Sequence, residues 1–465
     1  MRVAAAVLAA VLAVAVMARG QQALTLTLTL NQAVERALRN YPSIRVSQEQ
    51  INAAAAGIEL ARTAYLPRVD ALAQVNRATR NNIFGLLLPQ SIIPSISGPV
   101  LGTNNSGSAW GSAVGALVSW EPFDFGLRRS NTALAEASRA QSQATLQRTE
   151  FEVGAATADA YLTLAAAQET VLAAQAGVDR AAAILKTINA LVNAELRPGA
   201  DRSRAEAELA AARTQFIQAE QASDIARATL CQLVGTEPAQ VAISAAGLLQ
   251  LPPEQNFVSL KPEALNTATN PIAVEQSAAI EQAQAQLRAL ERSWFPRFYL
   301  QGSAYARGTS ADVDGRLLGG VNGLAPTVQN FALGFSVAFP VFDRAAIRAR
   351  EAAQSAVVRA QTARSQQIAV DLRAQWNRAV SNAQGARRIA ANTPVQVSAA
   401  RATVQQATAR YQSGLGNINE VAEAQRLLTQ AEIDDALARL GVWRGLLGVA
   451  AAAGDIRPFV VEASR

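Results

Sequence analysis

The sequence predicts a mostly helical membrane protein of mixed α+β class, built from two similar halves. Two alanine-rich helical segments, 127–196 and 343–412, are each 70 residues long, whereas a helix in an ordinary globular protein is nearer 11 residues. Each segment follows a pair of shorter stretches in which apolar residues alternate with polar or small ones, as in strands of a membrane barrel. The halves also share motifs in the same order, which indicates an internal duplication.

The N-terminus predicts export. Met1-Arg2 precedes an apolar run and then the small residues Ala18 and Gly20, the pattern of a signal peptide over residues 1–20. No later stretch has 18 consecutive apolar residues, so the sequence predicts no transmembrane helix after the signal. An exported chain of this kind is either soluble or crosses a membrane as strands.

The composition excludes several kinds of chemistry. The 465 residues include no histidine and one cysteine, Cys231, which excludes His-based catalysis, Cys/His zinc sites and an intrachain disulfide. We therefore expect no enzyme activity, no cofactor and no metal. The formal net charge of +6 is small for this length, and the charges of both signs are interspersed. Nucleic-acid binding is therefore not expected.

The first half, residues 21–235, is predicted to contain a β-hairpin over about 68–123, with a loop at 81–108. Its first strand is the weakest evidence for a membrane barrel, because Asp70, Gln74 and Asn76 interrupt the apolar residues.

The long helix of this half, 127–196, has an apolar residue at every seventh position, the spacing of a coiled-coil seam. A turn at Arg197-Pro198-Gly199 then leads into a return helix, 201–234, which is expected to end at Gly235. We expect glycines to stop both long helices.

After a proline-containing connector at 236–261, predicted to be irregular, the second half covers 262–448. An offset of 229 residues relates Pro42 to Pro271 and Pro67 to Pro296. The predicted elements of this half are a helix over 263–294, a hairpin over about 297–340, the long helix 343–412 and a return helix 420–447 that ends at Gly448, before a C-terminal tail at 449–465.

Four strands are too few to close a barrel, and open strand edges cannot face lipid. Three chains would supply twelve strands, an even number suited to a closed barrel. The sequence therefore predicts a homotrimer if the strands lie in a membrane. The expected aromatic belt at the lipid interfaces consists of Trp110, Trp120, Phe123, Phe298 and Phe339.

With these motifs in place, the chain resembles the TolC-like outer membrane efflux proteins (outer membrane factors). The resemblance covers the mature chain and rests on the order of its motifs, which are Leu28-Thr29-Leu30-Asn31-Gln32-Ala33-Val34, the helix-ending Pro67 and Pro296, the Phe-Asp pairs at Asp124 and Asp343, and the glycines Gly235 and Gly448. It implies a trimeric β-barrel in the outer membrane that continues as a long coiled-coil helical barrel into the periplasm. It also implies a passive conduit for tripartite efflux or type I secretion, working with a periplasmic adaptor and an inner-membrane pump.

The resemblance further places the functional residues at the two helical turns. Adaptor docking is expected at Gly414, Leu415 and Gly416, and less clearly at Gly199 and Ala200, where the family's usual apolar residue is missing. Glu420 and Glu423 stand where the family has acidic residues that ring the periplasmic entrance. Residues three apart share one helix face, and a ring of carboxylates favours cations; the alternative is that both glutamates only solvate the helix surface.

A second function class stays open on the residues alone. The chain could be an exported periplasmic coiled-coil structural or adaptor protein whose hairpins are soluble. The cargo, whether a drug, a metal ion or a protein, cannot be read from the sequence.

Overall fold

The computed structural model describes residues 26–79, 107–237, 241–253, 266–310 and 316–464. The predicted signal peptide and most of the loop at 81–108 lie outside the described residues. The chain divides into two compact units. We call Met1–Ile51, Gln141–Ala278 and Thr362–Arg465 the helical unit, and Asn52–Ala140 with Ala279–Gln361 the strand unit.

The protein is mostly helical with a few strands, as predicted. Its described α-helices are α1 (Leu30–Asn40), α2 (Pro42–Thr63), α3 (Leu127–Asn193), α4 (Gly199–Val234), α5 (Pro271–Arg292), α6 (Arg344–Gln412), α7 (Ile418–Ala453) and α8 (Arg457–Ala463). Its described strands are β1 (Leu26–Leu28), β2 (Arg68–Thr79), β3 (Ser108–Phe123), β4 (Val241–Ile243), β5 (Arg297–Thr309) and β6 (Val328–Ala338). At 1.5 Å per residue, the 67 residues of α3 and the 69 of α6 each give a helix of about 100 Å.

Two expected glycine stops are wrong. Helix α3 ends at Asn193, and the left-handed residue after it is Glu195 (φ 58°), whereas Gly199 begins α4. Gly448 lies inside α7, which runs on to Ala453 and is capped by Gly454. Gly454 has φ 86°, and its N–H donates to Ala450 O and Ala451 O. An added Cβ there would lie 2.8 Å from Asn270 Cα, so the position needs glycine.

The connector and the opening helix of the second half also differ from expectation. Residues 241–243 form β4, which pairs in parallel with β1, and Ala246–Leu249 form a 3₁₀-helix. The opening helix α5 begins only at Pro271. Three-residue strands carry too little periodicity to be recognised in a sequence.

The strand unit contains an antiparallel sheet in the order β2-β3-β5-β6. Its register places apolar residues opposite one another on one face, such as Val69, Val118 and Leu333, with Gly302 between the last two. The opposite face carries Asp70, Gln74, Ser119, Gln301, Ser303 and Tyr305. Asp70 and Gln74, two of the polar residues that weakened the prediction for β2, therefore lie on a shared polar face.

The apolar face of the sheet is exposed. Phe331 is 88% exposed, Leu333 78% and Phe335 65%. Three large apolar side chains in a row on one strand would be costly in water, at about 1.5–3 kcal/mol each relative to burial. An apolar outer face and a polar inner face are the arrangement of a barrel that crosses a membrane.

The helical unit has its largest core where α1, α3, α4, α7 and α8 meet beside the β1–β4 pair. Tyr161 is fully buried there, and its Oη lies 3.0 Å from Leu28 O and 2.8 Å from Ser244 O. Burial raises the pKa of Tyr161 to about 12, so the phenol stays neutral and ties α3 to both short strands.

Helix α7 is long and apolar enough to cross a membrane by length and composition, but half of its most apolar stretch is buried within the protein. Trp443, Leu446 and Leu447 belong to the core just described. We therefore interpret α7 as a core helix.

Candidate functional site at two paired turns

The turn between α3 and α4 and the turn between α6 and α7 lie side by side. Tyr411, at the end of α6, is 3% exposed and joins them. Its Oη donates to Asp201 Oδ2 at 2.8 Å, and the Arg197 guanidinium lies over its ring, 4.4 Å from the centroid. Arg197 also donates to Tyr411 O. The two turns are thus connected by a cation–π contact and two hydrogen bonds.

The Tyr411 hydroxyl remains a hydrogen-bond donor at physiological pH. Burial first, and then the hydrogen bond to Asp201, raise the pKa of Tyr411 to about 12. The phenol is therefore neutral at physiological pH and donates its hydrogen bond to Asp201. An apolar cluster of Ile188, Ala205, Ile418 and Val421 packs directly behind the pair.

The turn after α6 depends on glycine. Gly414 has φ 81°, in the left-handed region that disfavours other residues. Leu415 N and Gly416 N then both donate to Arg410 O, at 2.9 and 3.0 Å. Asn417 caps α7 by accepting the N–H of Glu420 at 3.0 Å.

Each turn presents one leucine to solvent. Leu415 is 74% exposed, as its predicted docking role requires, and Leu196 is 70% exposed. The sequence analysis missed Leu196 and expected contacts at Gly199 and Ala200, which lie at the start of α4. Both leucines directly follow the left-handed residue of their turn, Glu195 or Gly414, but only the glycine is recognisable from the sequence.

The two predicted entrance carboxylates lie near α7's start, and each faces an arginine. Glu420 Oε2 is 3.6 Å from Arg410, and Glu423 Oε2 is 3.5 Å from Arg426. The side chains of Glu420 and Glu423 are 44% and 74% exposed. Exposed pairs of this kind contribute about 0–1 kcal/mol, so both carboxylates keep most of their hydration.

Arg426 is shared with another element. It also lies 3.5 Å from Glu208 Oε2 on α4, whose side chain is 20% exposed. Glu208 in turn pairs with Arg204 at 2.8 Å. Within the described ranges, no group of three or more His, Cys, Asp or Glu residues is arranged to hold a metal ion.

The five predicted belt residues fall into two groups at opposite ends of the sheet. Trp120, Phe123, Phe298 and Phe339 lie where the strands meet their helices; Phe123 and Phe298 are 6.0 Å apart between ring centroids. Trp110 lies at the other end of β3, with Arg77 5.3 Å from its ring centroid. The sequence analysis missed Trp294, which contacts Phe339 at 5.2 Å.

The strands of a sheet with one apolar face lead directly into helices of 67 and 69 residues. This combination is characteristic of outer-membrane channels in which a strand barrel is followed by a barrel of long helices. The outer membrane efflux protein family matches residues 33–236 and 267–455, and the chain belongs to that family. The protein is therefore an efflux channel of the outer membrane. The family is one of passive channels rather than enzymes.

Solved structures share the fold. The chain is similar to the outer-membrane channel OprN (22% identity, TM-score 0.69, covering 91% of this chain and 89% of that one). It is also similar to CmeC of Campylobacter jejuni (16%, 0.72, 94% and 89%) and to VceC of Vibrio cholerae (18%, 0.70, 92% and 96%). No curated protein sequence matches the chain. The alternative of a structural protein without a barrel is not supported.

Proposed function

We propose that three copies of the chain form the channel. The two outer strands of the described sheet, β2 and β6, each have a neighbour on one side only. Unpaired backbone groups cannot face lipid, and four strands cannot close on themselves. Pairing β6 of one copy with β2 of the next would close a barrel of twelve strands.

The paired turns form the docking surface for a periplasmic adaptor, through which the channel works with an inner-membrane pump. The observation that carries this proposal is the pair of exposed leucines, Leu196 and Leu415, on a base fixed by Arg197, Tyr411 and Asp201. Burying a leucine against a partner gains about 1.5–3 kcal/mol, and a rigid base lowers the entropy cost of docking.

Glu420 and Glu423 form a cation-favouring ring at the periplasmic entrance. Threefold symmetry would bring six carboxylates together, and their exposure leaves them free to act on ions in water. Arg410 and Arg426 partly offset this charge, so the predicted selectivity for cations is moderate.

The entrance ring is tested by reversal potentials of the reconstituted channel in a salt gradient. The double variant Glu420→Gln, Glu423→Gln should lose cation preference because it removes the charge and keeps the side-chain size. Glu220→Gln is the matched control, an exposed glutamate on α4. An unchanged reversal potential in the double variant would contradict the entrance assignment and leave the channel function intact.

A further inference from the structure

The helix that leads to the second turn contains a proline. Pro394 lies inside α6, which runs on to Gln412. Proline has no N–H, so Ala390 O lacks its usual helical donor, and the ring favours a bend at this point. Below it, residues 395–412 form an arm of about 27 Å that ends at the turn.

The packing of α6 against α7 includes two separate apolar clusters, one on each side of the proline. On one side, Trp376 and Ala383 pack against Val449 and Ala452 in an apolar cluster. On the other side, another apolar cluster consists of Ala400, Leu428 and Ala431. The two clusters share no residue, so the arm and the rest of α6 pack on α7 as two separate blocks.

Between the two apolar clusters, beside Pro394, polar side chains join α6 to α7. Thr393 is 4% exposed, and its Oγ1 lies 2.7 Å from Asp435 Oδ1 on α7. Arg439 holds the other oxygen of Asp435 at 2.6 Å. A weaker bond joins Gln396 Nε2 to Asp434 Oδ2 at 3.4 Å.

The Thr393 hydroxyl has two acceptors and one proton. Ala390 O, the carbonyl that Pro394 leaves without a donor, lies 3.5 Å from Oγ1, against 2.7 Å for the carboxylate of Asp435. The shorter, charge-assisted bond is the stronger one. For a hydroxyl released from Asp435, Ala390 O is the alternative acceptor, and donation to this carbonyl would stabilise a bent helix.

We propose that Thr393 and Asp435 form a latch across a hinge at Pro394. When the latch is closed, the arm lies along α7; when it opens, the arm pivots and carries the turn with Leu415. A bend of about 10° would move the end of the arm by about 5 Å. The inference rests on the proposed entrance at this turn and goes beyond it by locating the movement in α6, well above the turn.

Spin-label distances test the hinge without requiring conduction. Asn377 and Gln405 are exposed on either side of Pro394 and share one heptad position, so labels on them report the bend. The full-length mature protein would be labelled in detergent and diluted with unlabelled chain. The native cysteine, Cys231, is buried and is therefore protected from the label. Thr393→Val should shift the distance distribution to shorter values, because losing a hydrogen bond to a charged group shifts the equilibrium by about tenfold or more.

The controls separate a latch from a loss of packing. Thr403→Val removes a hydroxyl that bonds only to Ala399 O in its own helix, and it should leave the distances unchanged. Thr393→Ser should behave as wild type, and Pro394→Ala added to Thr393→Val should restore the long distance.

Equal distances in Thr393→Val and wild type, or a shift that persists after Pro394→Ala, would overturn the latch. Channel current measured on the same samples is a separate readout. A current that rises with the bend supports the proposal, whereas a bend with no change in current refutes the coupling of the latch to the entrance. Absence of current in every sample, wild type included, refutes the proposed entrance and not the hinge.

Discussion

The two junctions between strand and long helix have the same Phe-Asp sequence but different packing. Asp124 and Arg128 form a buried ion pair at 3.0 Å, each side chain 8% exposed, and Asp124 also accepts the N–H groups of Gly126 and Arg128. Asp343 is exposed, and Phe342 beside it is 98% exposed. The first junction is therefore complete within one chain, whereas the second leaves a large apolar side chain for lipid or a neighbouring copy.

The two turns differ in a similar way. The turn after α6 uses Gly414 for its left-handed residue, and the turn after α3 uses Glu195 with φ 58°. A left-handed residue other than glycine costs about 1–2 kcal/mol. The turn of the second half, at Gly414, is therefore relaxed, whereas the corresponding turn of the first half, at Glu195, is strained. Both turns present a leucine to solvent.

The largest expected effect is on the first junction. Asp124→Ala leaves the Arg128 charge buried without its partner and should destabilise the protein by about 3–5 kcal/mol. Asp343→Ala, at the exposed counterpart, should change stability by no more than about 0.5 kcal/mol. Unfolding of the purified protein in detergent measures both. Equal losses in the two variants would show that the junctions do not differ in the way described.

The next largest effect is expected on binding of the adaptor at the two turns. Leu415→Asp places a charge where an apolar contact is proposed and should weaken adaptor binding about tenfold or more. Leu196→Asp should act in the same direction if both turns are contacted. Dye efflux from cells measures the loss, while the bilayer current of the purified channel should be unchanged. Ser413→Asp adds the same charge beside Leu415 and controls for charge alone; if it abolishes efflux equally, the leucine contact is not the cause.

Removing the glycine of one turn and introducing a glycine into the other should have opposite effects on stability. Gly414→Ala should destabilise the protein by about 1 kcal/mol or more, because alanine is strained at φ 81°. Glu195→Gly should be neutral or stabilising by up to about 1 kcal/mol, since it removes the strain of the other turn. Thermal unfolding compares the two. A loss of stability in Glu195→Gly would indicate that the glutamate side chain makes an unrecognised contribution.

The smallest effect on stability is expected at the entrance. Arg426→Gln removes two ion pairs at 3.5 Å, one to the exposed Glu423 and one to Glu208, whose side chain is 20% exposed. Because Arg426 itself is more than half exposed, the loss should cost about 1 kcal/mol or less. Its effect on ion selectivity should be clear, because it removes the arginine that pairs with Glu423. The reversal potential in a salt gradient should move towards the equilibrium potential of the cation. A shift towards the equilibrium potential of the anion would contradict the proposed negative charge of the ring.

Much of the fold could be predicted because its signals are long. Two 70-residue helical segments and alternating hairpins are readable from periodicity alone. The sheet register could not be read, so the polar residues of β2 looked like evidence against a barrel until Asp70 and Gln74 were seen to share a face with Ser303 and Tyr305.

Part of the proposed site can be expected from the sequence, and the rest depends on contacts between distant residues. Leu415 is recognisable because glycines flank it, whereas Leu196 follows a glutamate whose left-handed conformation the sequence does not reveal. The bonds of Tyr411 to Asp201 and of Thr393 to Asp435 join residues on different helices. No local pattern marks such pairs, since threonine and aspartate are common on helix surfaces.

Reconstitution of the detergent-extracted mature protein into planar lipid bilayers tests most directly whether the chain forms an ion-conducting channel in the outer membrane. Protein recovered in the outer-membrane fraction should produce discrete current steps. A protein that salt alone extracts from membranes, and that produces no current steps, would contradict it.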